Sequence, residues 1–349
     1  MNSARWWHPD RHRNRRPGLV ARNRIKVALQ SWFISEGFTE VDVGALQVSP
    51  GNETHLHALS TSLHGSRERL FLHTSPEFAA KKLLAAGETK IFDFARVFRD
   101  RESGDLNATE FTMLEWYRTR DSFDVVIDDS LRLLRIAAEG AGITQMKFRD
   151  LQTMPLVEAE RLSVAVAFAD FAGIDLMASL DDDGSPNLVA FRSAAEDAGI
   201  RVPTDDNWSD IFSRIMAERI EPHLGVGRPT LLIDYPAPEA ALSRRHTDDP
   251  RLAERFELFV CGVELANGFG ELTDSVEQRR RFESAMTEKE RIYGEQYPID
   301  VDFLAALDEM PEASGVALGF DRLVMLCVGA DRVTDVMWAP PPDPTSTPQ

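Results

Sequence analysis

Apolar residues recur at helical spacing over residues 19–37, at Val20, Ile25, Leu29, Trp32 and Phe33, and Gly37 supplies a stop. Residues 38–43 then alternate as a strand does, and 69–73 form a second short apolar run. Ser75-Pro76 with Glu77 in the first turn opens a helix. Two longer runs, 91–99 and 111–118, read as strands joined by a polar stretch containing Gly104, which predicts a hairpin with a long, functional loop. An amphipathic helix follows over 122–140, with Val126, Leu131, Leu134 and Ile136 on or near one face. Residues 145–225 read as a mostly helical insertion with an acidic turn at 181–186 and no chemical motif. Strands are expected at 230–235, 256–263 and 316–318, a charged helix at 274–293, and a last helix opening at 319–323. No internal repeat is present. Strands mixed with helices, including a hairpin, predict an α+β fold: a mixed, mainly antiparallel sheet flanked by helices.

The ends look different from this body. Residues 1–18 are charged, carry Pro9 and Pro17, and read as a basic disordered terminus; 340–349 read as a loose Pro-rich tail. The expected folded domain is 19–339. Its 349-residue chain is 43% hydrophobic and 28% charged, as soluble globular proteins are, with a net charge of -18. Residues 1–26 carry +7 and the remainder -25. The basic end reads either as a solvated, frayed terminus or as a guide for an acidic partner. So acidic a body does not wrap bare nucleic acid. No run of about eighteen apolar residues exists, and none follows the basic start, so neither a membrane span nor a secretory signal is expected. Cys261 and Cys327 match no metal spacing, and His55 and His57 lack a third ligand nearby. A cytoplasmic location is expected.

Three segments hold candidate chemistry. On the strand ending in Glu110-Phe-Thr-Met-Leu-Glu-Trp-Tyr117, positions two apart share a face, so Phe111, Met113, Glu115 and Tyr117 point one way. A carboxylate, a phenol and an aromatic ring on one surface suit a cationic, long-chain ligand. Arg99, at the end of the preceding strand, can grip a phosphate with its planar fork. Glu264 and Glu271, with Asn267 between them, lie near a strand end around a glycine turn, an oxygen donor set that suits Mg²⁺. In Gly315-Val-Ala-Leu-Gly-Phe-Asp-Arg322 the glycines allow close approach of a flat ring, and Arg322 can reach phosphate oxygens from a helix start. No Gly-Lys-Ser/Thr closes that run, so it is not a Walker loop.

In this order, the segments resemble class II aminoacyl-tRNA synthetases of the lysyl type: Phe98 to Tyr117 resembles motif 2, Gly315 to Leu323 motif 3, and Glu264-Leu-Ala-Asn-Gly-Phe-Gly-Glu271 the metal-and-substrate strand. Thr74-Ser-Pro-Glu77, Thr112 to Arg118 and Ser314 to Gly319 are similar in particular to the elongation factor P lysine ligases, truncated paralogues of lysyl-tRNA synthetase. The resemblance spans 19–339. It implies ATP as co-substrate and Mg²⁺ as cofactor, with Arg99 on the α-phosphate, Arg322 on the γ-phosphate, Phe111 stacked on adenine, Gly319 beneath the nucleotide, and Glu264 and Glu271 on the metal. Asp100, Arg101, Glu102, Ala108 and Leu265 complete the implied ATP site. Ser75, Pro76 and Glu77 would meet the amino acid's amine, Glu115 and Tyr117 its side-chain ammonium, and Asn267 its carboxylate, with Glu271 also in the substrate site.

The implied activity is formation of an acyl-adenylate of lysine or β-lysine and its transfer to a lysine of elongation factor P, by a homodimer. This chain departs from the pattern at Arg101, where the family has Glu, and at Asn107-Ala108-Thr109, where it has His-Asn-Pro. Gly44 replaces a motif 1 proline, and Ala317 a glycine of the lysyl enzymes. The rival readings are tRNA charging and a non-catalytic binding paralogue. Against tRNA, only about eighteen residues precede the first expected helix, too few for an anticodon-binding barrel, and the body has no basic surface.

Overall fold

The computed structural model describes residues 5–65 and 68–342; the rest of the expected Pro-rich tail lies outside them. The sheet strands in chain order are β1 (Thr39–Glu40), β2 (Lys90–Phe98), β3 (Glu110–Thr119), β4 (Glu160–Ser163), β5 (Thr230–Pro236), β6 (Leu252–Val260), β7 (Val263–Gly270) and β8 (Ala313–Gly319). The principal helices are α1 (Pro9–Ser35), α2 (Glu77–Ala85), α3 (Phe123–Ala141), α4 (Leu188–Asp197), α5 (Trp208–Ile215), α6 (Ser275–Tyr293), α7 (Val301–Glu309) and α8 (Phe320–Val328).

The predicted hairpin is the heart of an eight-stranded sheet ordered β1-β2-β3-β8-β7-β6-β5-β4. The six central strands pair antiparallel, and a short parallel strand closes each edge. The predicted α+β class therefore holds. Alternation divides the sheet into two faces. Leu114, Trp116, Val316 and Leu318 turn to one side, where they bury against Ile25, Leu29 and Phe33 of α1, Leu133 and Leu134 of α3, and Leu323 and Leu326 of α8. On the other side α2, α6 and α7 pack through Phe78, Leu84, Phe282, Phe303 and Leu307 against Ile91 and Tyr117. The site lies on this second face.

Local signals fix several ends. Ser122 precedes α3, and Gly142, at φ 74°, ends it in the left-handed conformation that glycine adopts without strain. Asp274 caps α6 by accepting from the amides of Val276 and Glu277.

Four readings are corrected. The terminus 1–18 is not disordered from end to end: α1 starts at Pro9, with Pro at the first helical position, where its missing N–H costs nothing. Pro17 lies inside α1, and tertiary contacts hold the helix through it. Arg15 donates to the carbonyls of Thr334, Asp335 and Met337, and Arg22 to Asp321 and Thr112. Part of the basic charge is thus used within the fold. The expected strand 38–43 pairs over only two residues. The insertion opens on strands at Met146–Phe148, Leu151–Thr153 and β4 before it becomes helical. Its own core, with Phe168, Phe191, Trp208 and Phe212, packs on Leu232, Tyr235 and Phe259 of the sheet. Finally, residues 264–270 belong to a full strand, β7, rather than to a turn.

Candidate active site

Cross-strand register aligns the candidate residues in rows. Glu115 on β3 stands opposite Ala317 on β8, Ala317 opposite Asn267 on β7, and Asn267 opposite Glu257 on β6. The next row runs Tyr117, Gly315, Phe269, Arg255. Residues directly opposite share a face. The central strand β8 therefore offers only Gly315, Ala317 and Gly319 on this side, and long side chains rise on both flanks. The result is a trough with a floor of small residues. Gly315 is required there, because a Cβ would collide with the Tyr117 ring and with Glu271 Oε1.

A cavity of about 1420 Å³ lies over this floor. Arg99, Glu102, Ala108, Phe111, Glu264, Leu265, Gly319 and Arg322 of the expected ATP site line it, as do Ser75, Glu77 and Asn267 of the expected substrate site. Asp100 and Arg101 do not. Asp100 instead pairs its backbone with His57 at 2.7 Å, and Arg101, at φ 61°, turns over the Tyr293 ring at 5.7 Å. Pro76 stays outside the lining and precedes the first turn of α2. Glu115, Tyr117 and Glu271 are buried under the wall, at 2%, 4% and 2% exposure.

The two guanidinium groups meet at one cavity. Arg99 donates through Nε to the Thr74 carbonyl at 3.3 Å and lies 5.3 Å from the Phe111 ring. Arg322 is locked by the Leu106 carbonyl at 3.1 Å, the Glu264 carbonyl at 2.8 Å and Asn107 Oδ1 at 2.7 Å. A guanidinium has five N–H donors, so two of Arg322's remain for a ligand. Asn107 is thus the one side chain among the three groups that hold Arg322. Asp321, buried at 2% exposure, accepts the Thr112 amide at 2.7 Å and contacts Arg22. It ties the start of α8 to β3 and α1, and so positions Arg322.

The opposite end is acidic. Glu115 accepts from Ser75 Oγ at 2.6 Å and from the Tyr117 hydroxyl at 2.7 Å. Lys81 on α2 lies 2.5 Å from Glu77 Oε1 and 2.6 Å from Glu271 Oε2. Three carboxylates therefore converge with one ammonium. Burial, then the charge of Glu77, raises the Glu115 pKa to about 8. Burial also raises Glu271 to about 7 against the pull of Lys81. Burial disfavours the Lys81 ammonium, but Glu271 and Glu77 more than offset that and raise its pKa. Lys81 was not singled out in the sequence; its spacing four residues after Glu77 on one helix was the available signal.

The expected metal pair is corrected by the strand. Both Glu264 and Glu271 reach the site face, Glu264 only because a bulge between Leu258 and Phe259 pairs opposes it to Phe259 and shifts the alternation. Seven residues of strand separate them, however, which is about 20 Å at roughly 3.3 Å per residue. One ion cannot bridge that span, and Glu271 is already paired with Lys81. Glu257 was missed. It lies on the strand beside Glu264, accepts from Arg255 Nη2 at 2.7 Å, and is raised to about 7 by burial and then by Glu264. Two carboxylates on neighbouring strands suit a divalent cation that takes its other oxygens from phosphate and water. Among the described residues no group of three or more His, Cys, Asp or Glu could hold a metal alone. Also among them, no helix is long and apolar enough to cross a membrane.

Comparison with known proteins agrees with this geometry. The family model for tRNA synthetases class II (D, K and N) matches residues 2–341. The elongation factor P–(R)-β-lysine ligase of Haemophilus ducreyi is 36% identical over 324 residues, covering 91% of this chain and 92% of that protein. The proteins of the same name from Salmonella arizonae and Proteus mirabilis are 35% and 36% identical over 347 and 327 residues, covering 97% and 92% of this chain and 98% and 94% of theirs. With its ordered motifs, its trough and full-length matches of this kind, the chain belongs to the class II tRNA synthetases of the D, K and N group, and is a ligase.

Proposed function

We propose that this enzyme activates lysine or (R)-β-lysine with ATP and transfers the acyl group to a lysine side chain of elongation factor P. One observation carries the reading. Glu77 and Glu271 pair with the single Lys81 and Glu115 adjoins them, which leaves two negative charges in a desolvated pocket when all are ionised. A diamino acid brings two ammonium groups. At the other end of the same cavity stand Arg99 and Arg322, which suit a triphosphate. Ala317 and Asn267 lie in the row between Glu115 and Glu257, along the path the amino acid would span.

In the first step the amino acid's carboxylate oxygen attacks the α-phosphorus, a C–O–P link forms, and pyrophosphate leaves. Arg99 stabilises charge on the α-phosphate oxygens, and Arg322 holds the terminal phosphate so that the leaving group is in line. Fixed donors of this kind in an enclosed site contribute about 3–4 kcal/mol each. Arg99's contact with the Thr74 carbonyl and Arg322's three contacts mean that neither has to reorganise. Glu257 and Glu264 would hold Mg²⁺, which when bound offsets charge on the phosphates. In the second step the acceptor amine attacks the acyl carbon and AMP leaves; holding both groups in one cavity supplies much of that acceleration. Pairing of two copies belongs to the same reading.

The test is lysine-dependent ATP–pyrophosphate exchange with several lysine isomers, followed by transfer of labelled amino acid to elongation factor P or to tRNA. Exchange with a lysine isomer and label on elongation factor P are expected. No exchange with any isomer overturns the activation step; label on tRNA instead overturns the acceptor.

A further inference from the structure

The outer wall of the cavity includes loop 51–57, which the proposed function does not yet use. Asn52, Glu53, Thr54, His55 and Leu56 line the cavity. The loop is fastened from behind by Lys289 of α6, which is fully buried. Its ammonium donates to the carbonyls of Glu53 at 3.5 Å, Thr54 at 3.0 Å and Leu56 at 2.6 Å. An ammonium has three protons, and three loop carbonyls take them. Further ties come from Thr54 Oγ1 to the Ala285 carbonyl at 3.3 Å, from the Ala58 amide to the Tyr297 hydroxyl at 2.9 Å, and from Thr74 Oγ1 to the Pro50 carbonyl at 2.8 Å. The carbonyls are thus turned to α6, and Glu53 is one of the loop residues that line the cavity.

That carboxylate has no hydrogen-bond or ion-pair partner among the described residues. Glu53 is exposed along the cavity wall. Its charged neighbours are Arg99 from the hairpin, Glu77 from α2, Arg255 from β6 and Lys289 from α6, with His55 and His57 on its own loop. Burial pushes its pKa up, Arg99 pulls it down, and Glu77 pushes it up again. A carboxylate on the cavity wall that no ion pair holds ionised is free to take a proton from an incoming ammonium.

Charge balance says which proton. The deep cluster of Glu77, Glu115, Glu271 and Lys81 already matches both ammonium groups of a diamino acid. Glu53 is a carboxylate in excess of that match. The loop is tied at Pro50 to Thr74, whose carbonyl holds Arg99, so Glu53 lies toward the reacting end of the amino acid rather than beside the deepest ammonium. One further amine must enter this cavity, the acceptor's, and it arrives protonated and unable to attack.

We infer that Glu53 receives the ammonium of the acceptor lysine and takes its proton for the transfer step; this rests on the function proposed above. One proton passes from the acceptor nitrogen to a Glu53 carboxylate oxygen. The freed electron pair forms the C–N bond to the acyl carbon, and the bond from that carbon to the phosphate oxygen breaks, with its electron pair leaving on AMP. The second proton of the nitrogen passes to the departing phosphate, and Glu53 then returns its own to solvent.

The test is Glu53→Gln, which keeps size but cannot take a proton, with exchange reporting the first step and single-turnover transfer to elongation factor P the second. General-base assistance is worth about 10²–10⁴-fold, so the ratio of transfer to exchange should fall about 100-fold. The deficit should shrink as pH rises and the acceptor amine loses its proton unaided. Glu53→Asp, a shorter base, should recover part of the transfer. Equal losses in both steps with a raised KM for the amino acid would assign Glu53 to the amino-acid pocket and overturn the inference. An unchanged ratio, or Asp no better than Gln, would overturn it too. Failure of the wild type to exchange with any lysine isomer would instead remove the proposed function.

Discussion

Glu115→Gln is the most informative single change, because the structure fixes both its size and its pH dependence. The wild-type carboxyl is buried and pushed up to about 8, first by burial and then by Glu77. A charge-assisted contact from it to a substrate ammonium is worth about 1.5–3 kcal/mol. At pH 7 the empty pocket holds Glu115 mostly protonated, so binding a cation requires its ionisation about one unit below its pKa, at about 1.4 kcal/mol. The net loss in the Gln variant at pH 7 is therefore roughly 0–1.6 kcal/mol, up to about 15-fold in KM. At pH 9 the carboxyl is already ionised and the full contact is lost, roughly 10- to 150-fold. The sign follows from titration: the wild-type site gains charge as pH rises, so its amino-acid affinity climbs to about pH 8 and levels off, while the variant lacks that climb. Folding should survive, because the Ser75 and Tyr117 hydroxyls that donate to Glu115 can rotate to accept from an amide. The assay is KM for lysine and (R)-β-lysine by ATP–pyrophosphate exchange at half-unit steps from pH 6.5 to 9. Parallel curves for the two proteins would refute the reasoning, whatever their offset.

Lys81→Met leaves Glu77 and Glu271 without their buried partner, and breaking such a pair from one side costs about 3–5 kcal/mol. Glu271, already raised by burial, loses the pull of Lys81 and rises further above its unfolded value, so the penalty is small near pH 5 and grows toward pH 8; urea midpoints that fall equally at both pH values would contradict this. Gly315→Ala places a methyl against the Tyr117 ring and Glu271. It should raise KM for the amino acid at least tenfold with little change in KM for ATP, and equal effects on the two substrates would count against the trough. Glu257→Gln should raise the Mg²⁺ concentration needed for half-maximal exchange several-fold while Glu271→Gln does not; the reverse ranking would restore the pair read from the sequence.

Much of the site was legible in one dimension because strands alternate. Phe111, Met113, Glu115 and Tyr117 sit two apart, and the structure does put Glu115 and Tyr117 in hydrogen-bond contact on one face. The hairpin, the helix opening at Arg322 and the α+β class were readable for the same reason: periodicity of two or of 3.6 is local. The resemblance carried by the ordered motifs then identified the family.

Other features were not local. The start of α1 reads as a loose, charged end until Arg15 and Arg22 find carbonyls and Asp321 some three hundred residues away. Glu264 and Glu271 look like a pair because they flank one short motif, yet an extended strand drives them about 20 Å apart, while a bulge turns Glu264 toward the site and Glu257 arrives on the neighbouring strand. Lys81 is an ordinary helical lysine until the fold buries it between Glu77 and Glu271. The sequence by itself determined the elements, the faces of the central strands and the chemical types available. Which carboxylates share a charge, a proton or an ion was decided only by the tertiary structure, because such coupling depends on separation through space and on exclusion of water, and neither is written in the order of residues along the chain.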